Sequence, residues 1–177
     1  IYQLQGDAAL AERHFRIALR AAPGAARIRN DYGVFLYQQG RYDDAVDHLR
    51  RAAEDPDSGN RPVAYENLGL ASLAAGDRTE ARNAFARAVM LESRMVISLI
   101  ELAELAYEDA DYAQSSNWYQ RYREVVARQT PRSLWLGVRL ARRAEDADAE
   151  ASYALQLRNL YPFSEEYRLY REGLGDG

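Results

Sequence analysis

The sequence predicts an all-α chain, a right-handed solenoid of antiparallel helix pairs. Three observations carry that expectation. A small residue recurs at Gly33, Gly69, Ala103 and Gly137, at intervals of 36, 34 and 34 residues. The same order of small and large side chains follows each of them, as after Gly33, where Gly40 comes seven residues on, Ala45 twelve, Leu49 sixteen and Ala52 nineteen. Turn formers then close the helices, Gly40 ending a first helix and Pro56 a second. Gly33 and Ala45 let two helix backbones approach, while Tyr32 and Leu49 fill the space beside them.

The spacing resembles the tetratricopeptide (TPR) pattern of paired helices. After Gly69 the offsets bring Gly76, Ala81, Phe85 and Ala88; after Ala103, Ala110, Ser115, Tyr119 and Tyr122; after Gly137, Ala144, Ala149, Tyr153 and Gln156. Counting back, Gly6, Ala11, Phe15, Ala18 and Pro23 fit the second helix of an earlier repeat, with Tyr2 left over from its first. Ile1 therefore reads as a point inside a longer protein, since a terminal repeat is normally complete. A single solenoid over 1–177 is expected, with a truncated repeat at 1–24 and whole repeats at 25–60, 61–94, 95–128 and 129–162. Residues 163–177 form a capping helix and tail.

In chain order, Asp7 to Ala21 is the first helix, turning at Gly6 and stopped by Pro23-Gly24. Ala25 to Gln39 and Tyr42 to Glu54 pair next, and the turn-rich run from Asp55 to Pro62 supplies the two extra residues of that repeat. Pro62 sits in the first turn of a helix running to Ala75, where proline costs little. Arg78 to Leu91, Met95 to Glu108, Tyr112 to Ala127, Ser133 to Ala144 and Asp146 to Leu160 follow. Ser164 then caps a short helix with Glu165 and Glu166 near its positive end, and Tyr167, Leu169 and Tyr170 lay it over the last repeat.

Composition narrows the function. The net charge is -4, and all 23 cationic residues are arginine. Mild acidity argues against a nucleic-acid groove, which needs a clustered basic face. No run approaches the ~20 apolar residues of a membrane span. The absence of cysteine excludes disulfides, thiol catalysis and cysteine metal sites within these residues. His14 and His48 occupy one repeat position twice, each before a large core residue, and read as surface or boundary histidines. With no phosphate-binding loop and no Gly-x-Ser-x-Gly, neither an enzyme nor a cofactor is expected.

What the pattern does offer is binding surface. First-helix residues following the small position, and those three further on, face inward along the solenoid. They are Val34 and Tyr37, Leu70 and Leu73, Glu104 and Tyr107, Val138 and Ala141. The row Val34, Tyr37, Leu70 and Leu73 is either covered by a neighbouring first helix or forms an exposed apolar patch. Glu101, Glu104 and Glu108 share one helix face. They read as a solvated face or, with Tyr107, as an acidic groove attracting a basic or amide-rich peptide. Trp118 and Trp135 read as core.

Three segments go beyond generic TPR spacing. They are Asn30-Asp31-Tyr32-Gly33 running on to Arg41-Tyr42, then Arg61-Pro62-Val63-Ala64-Tyr65-Glu66-Asn67-Leu68-Gly69-Leu70, and Ser133 to Ala141 followed by Ala151-Ser152-Tyr153-Ala154-Leu155-Gln156-Leu157 and Leu160-Tyr161-Pro162. Together they resemble the type IV pilus biogenesis TPR lipoproteins, the secretin pilotins of the PilF/PilW type. The resemblance implies a non-catalytic lipoprotein at the periplasmic face of the outer membrane, whose partner is the pilus secretin. Membrane attachment would run only through an N-terminal lipid anchor outside this chain. The other expectations are a periplasmic or cytoplasmic TPR adaptor or co-chaperone binding a peptide in its concave groove, and an appendage of an enzyme. A carboxylate clamp of the co-chaperone kind needs lysines, which this chain lacks.

Overall fold

The computed structural model describes residues 2–173, with side chains from Asp7 onward. Ile1, read above as a point inside a longer protein, and residues 174–177 of the expected tail lie outside the described residues. Ten helices make up the described chain: α1 (Tyr2–Ala21), α2 (Ala26–Gln38), α3 (Tyr42–Glu54), α4 (Arg61–Ala74), α5 (Arg78–Leu91), α6 (Val96–Glu108), α7 (Tyr112–Val125), α8 (Pro131–Arg143), α9 (Ala147–Leu160) and α10 (Glu165–Arg171). The described residues contain no strand. This is the all-α arrangement of helix pairs that the repeat spacing requires. The chain divides into two compact units between Ser98 and Leu99, within α6.

In the first unit α2 pairs with α3 and α4 with α5, and α3 packs on α4. The pairing glycines sit where helices touch. A Cβ at Gly33 would stand 2.5 Å from Leu49 Cγ, and one at Gly69 would stand 2.5 Å from the Phe85 ring. Leu36, Ala45, Leu49, Ala52 and Phe85 are fully buried around these contacts. Gly40 and Gly76 close the pairs with φ of 75° and 86°, a left-handed conformation glycine adopts without a Cβ penalty.

In the second unit α8 pairs with α9, and α10 lies against both. Tyr167, Leu169 and Tyr170 pack on the buried cluster of Leu134, Trp135 and Leu157. Ser164 Oγ accepts the Tyr167 amide at 3.2 Å, capping α10. Side-chain oxygens start the neighbouring helices too: Asp111 accepts from the Gln114 amide, Asp146 from the Ala149 amide, and Thr130 and Ser133 form a reciprocal capping box at α8.

Three details depart from expectation. The backbone of α1 runs through Gly6 without a turn, because a glycine permits a break but costs only about 1 kcal/mol inside a helix. The last turn residue is Glu145, with φ of 55°, and not Ala144. Asp146 takes the N-cap role of α9, so the residue before it must reverse the chain. Trp118 is half-buried and covered by the Arg121 guanidinium, 4.6 Å from its ring, whereas Trp135 is in the core. Tyr119, next to Trp118, takes the inward position instead.

Candidate functional site

The first helices of successive repeats carry the candidate surfaces, and a ladder of polar contacts joins them one repeat apart. In the first unit Asn67 Nδ2 donates to Asn30 Oδ1 at 2.9 Å, linking α4 to α2. The Glu66 carboxylate accepts from both the amide and the hydroxyl of Ser98, at 2.9 and 2.8 Å. In the second unit Arg132 donates to both oxygens of Glu101, at 2.5 and 3.0 Å, and Arg139 donates to Glu104 at 2.7 Å.

Beside the first rungs lie the apolar candidates. Val34, Leu70 and Leu73 are half-buried, and Tyr37 is exposed at the end of α2. The Tyr37 ring packs 5.5 Å from that of Tyr42. Neither expectation for this row holds alone: three members are partly covered, and Tyr37 is exposed. The row offers aliphatic surface with an amphipathic rim, a combination suited to an apolar side chain of a partner.

The acidic candidates are organised differently. Glu101 and Glu104 are buried, only 8% and 6% exposed, so for these two the solvated-face reading is corrected. Glu108 is exposed. The physical reason is charge pairing: Arg132 reaches both carboxylates, standing 3.4 Å from Glu104 through Nε, and Arg139 takes the other Glu104 oxygen. The Glu101 carboxylate in turn holds the Arg132 guanidinium above its ordinary pKa. Arg139 also stacks 4.4 Å from the Tyr107 ring, and Tyr107 meets Tyr112 edge-on at 5.1 Å. The surface is ion-paired and aromatic where a free acidic patch was one expectation. Arg132 and Arg139 are what sequence reasoning missed. Their signal was present, as arginines 31 and 35 residues beyond Glu101 and Glu104, about one repeat away.

The remaining titratable groups do not converge. His14 is exposed, whereas the half-buried His48 ring lies 4.6 Å from that of Tyr32. Burial, then the charges of Arg29 and Arg51, lowers the His48 pKa. No group of metal-ligating side chains assembles among the described residues, and no described helix is long and apolar enough to cross a membrane.

Comparison with known proteins agrees with this architecture. Residues 2–60 match the model of a tetratricopeptide repeat family. Over 171 residues, 97% of the chain, the sequence is 36% identical to the type IV pilus assembly protein PilF of Pseudomonas aeruginosa, spanning 68% of that protein. A solved structure of P. aeruginosa PilF superposes with a TM-score of 0.89 at 36% identity, over 97% of this chain and 77% of that one. PilW, a widely conserved type IV pilus biogenesis factor, superposes at 0.77 with 26% identity, over 96% and 78% of the two chains. YrrB, a TPR protein with an unusual peptide-binding site, shares the fold alone, at 12% identity and a TM-score of 0.76 over 96% of this chain and 86% of that one.

Proposed function

We propose, since this chain belongs to the PilF family of tetratricopeptide-repeat proteins of type IV pilus assembly, that it acts as a pilotin, binding the pilus secretin and bringing it to the outer membrane for multimerisation. The observation that carries this reading is identity of 36% sustained over 97% of the chain. The C-terminal segment adds support because repeat geometry alone does not demand its details. There Thr130 and Ser133 cap α8, and the Tyr161 hydroxyl donates to the Gln129 carbonyl at 2.7 Å.

The protein then works without catalysis, as a scaffold in the pilus assembly machinery at the periplasmic face of the outer membrane. A lipid on a segment N-terminal to these residues would anchor it. Val34, Tyr37, Leu70 and Leu73 would take an apolar secretin side chain, since they leave aliphatic surface partly open around an exposed tyrosine. Glu101, Glu104 and Tyr107 would contribute through the arginines they hold or stack, more than as free acids, with Glu108 at the exposed end of the same row. A preformed helix-pair surface binds an extended partner at low ordering cost.

The test is deletion of the gene in the source organism, followed by blotting outer-membrane fractions for heat-stable secretin multimers. Monomeric secretin without multimers supports the pilotin reading, and normal multimers in the outer membrane overturn it. For the surface, Leu70→Asp and Leu73→Asp are expected to abolish secretin capture with helicity unchanged. Retained capture by either variant would move the contact elsewhere.

A further inference from the structure

The first unit holds a cleft that the apolar row does not use. It opens between α1 and α3 over α2, with a volume of about 790 Å³. Arg13, Arg16 and Arg20 of α1, Arg29 of α2 and Arg41 ahead of α3 line it. Only Glu12 and Asp44 oppose them there, so five cations against two carboxylates leave three formal charges uncompensated. Glu12 is engaged through one oxygen: its Oε1 accepts from Arg16 at 2.8 Å, Arg41 at 2.8 Å and the Tyr32 hydroxyl at 3.0 Å. Asp44 is taken by Arg41 at 2.6 Å. Arg29 donates to the Pro23 carbonyl, a neutral partner. Among the described residues no carboxylate pairs with Arg13 or Arg20.

Repeat packing does not require these arginines. The corresponding cleft three repeats later, about 510 Å³ between α7 and α9, has Ser116, Gln120 and Glu124 where the first has Glu12, Arg16 and Arg20. Its charged lining residues are Arg123, Glu124 and Asp146, one formal negative charge in sum. The same helical architecture therefore stands with either sign of charge. The arginine cleft also has apolar lining, from Ala9, Leu19 and Leu36. On α2, Tyr32 and Leu36 lie one turn apart on the cleft side, whereas Val34 lies on the opposite side and Tyr37 about 100° round from Leu36; none of Val34, Tyr37, Leu70 and Leu73 lines the cleft. The two surfaces are separate.

The geometry points to this cleft as a second docking site, for an acidic segment of a partner protein in which carboxylates alternate with leucine-sized side chains. Guanidinium groups suit carboxylates because they bind them in a bidentate fashion. Arg13, Arg16 and Arg20 fall at i, i+3 and i+7 along α1, a stripe about 10 Å long that reaches several carboxylates of one segment. A membrane surface fits less well, because the charges line a concavity together with apolar side chains and two acids.

The probe is a fluorescein-labelled peptide, Glu-Leu-Glu-Glu-Leu-Glu, titrated with the full chain by fluorescence anisotropy. Its Gln-Leu-Gln-Gln-Leu-Gln counterpart serves as the uncharged control. Binding of the acidic peptide alone is expected. It should weaken as ionic strength rises from about 0.01 M to about 0.15 M, where the screening length falls from about 30 Å to about 8 Å. The double variant Arg16→Gln, Arg20→Gln should lose about tenfold or more in affinity, and Arg87→Gln, exposed on α5 outside the cleft, should lose none. Leu70→Asp should retain the peptide. Equal binding of both peptides, or an unchanged double variant of native helicity, overturns the proposal. Cosedimentation with phosphatidylglycerol vesicles that depends on Arg16 and Arg20, with no peptide binding, also overturns it and makes the cleft a lipid site.

Discussion

Replacing Gly69 by alanine pits two effects of known size against each other. Alanine inside a helix is worth about 1 kcal/mol over glycine, because the unfolded chain has less freedom to lose. In α4, however, the added Cβ would stand 2.5, 2.6 and 2.8 Å from Cε1, Cδ1 and Cζ of Phe85. Ordinary contact begins near 3.4 Å, so the ring would have to withdraw by roughly an ångström, on the scale of the distances between packed carbon atoms. Phe85 is fully buried and rigid in its plane, among Ala81, Ala84 and Ala88 of its own helix. Overpacking of this kind costs about 1–3 kcal/mol, so the net expectation is destabilisation of about 1 kcal/mol after the propensity gain of about 1 kcal/mol. Urea unfolding of the full chain, followed by circular dichroism, measures it. Gly69→Ala in combination with Phe85→Leu should recover part of the loss, since leucine vacates the ring positions nearest Gly69. Stabilisation by Gly69→Ala would refute the assigned helix contact, because only an unhindered helical glycine gains from alanine. Gly59→Ala, with open space around its Cβ, serves as the control and should stay within about 0.5 kcal/mol.

Glu104→Gln is expected to cost about 1–3 kcal/mol in urea unfolding, less than the ~3–5 kcal/mol of breaking a wholly buried pair, because Arg132 keeps Glu101 and is half exposed. Glu92→Gln, exposed just after α5, should change stability by no more than about 0.5 kcal/mol, and equal effects would contradict the ladder. His48 gives a pH signature. Its folded pKa lies below its ordinary 6.5 through burial and then the charges of Arg29 and Arg51, opposed by the carboxylates of Asp47 and Asp44. Protonation therefore favours the unfolded chain, and the stability His48 contributes is complete above pH 6.5 and is lost as pH falls through the lowered value. Thermal unfolding between pH 7 and pH 5 should show that decline, and His48→Gln should flatten it; an identical pH slope in the variant would exclude His48 as its source.

The fold was legible because helix pairing places hard constraints on a few side chains. Gly33 and Gly69 are small because Leu49 and Phe85 occupy the space a side chain would need. Gly40 and Gly76 are glycine because φ is positive there. Where constraints relax, sequence positions become ambiguous. Ala110 and Glu145 hold the same left-handed turn without glycine, at φ of 59° and 55°, so composition alone did not locate the second of them. Trp118 shows the complementary ambiguity: a large aromatic beside a core position packs inward or outward with equal hydrophobicity, and Arg121 over its ring supports the outward choice.

The candidate surfaces were half legible for a different physical reason. A charged row on one helix is ordinarily read against solvent, but in a stack of helix pairs the medium beside a first helix is the next first helix. The partner of Glu101 or Glu104 is therefore found about one repeat further along the chain, and Arg132 and Arg139 are there. The same reading explains Asn30 with Asn67 and Glu66 with Ser98. Applied to Val34 and Tyr37, it leads to Leu70 and Leu73, 36 residues on at the same positions of the next first helix, and Val34, Leu70 and Leu73 are half-buried. What this leaves in solvent is the information a partner can read: Tyr37 in one unit, and the exposed half of Arg132 in the other. On the proposed reading an apolar anchor of the secretin docks on the first unit, and Leu70→Asp should lose capture where Arg87→Gln, exposed on α5, does not.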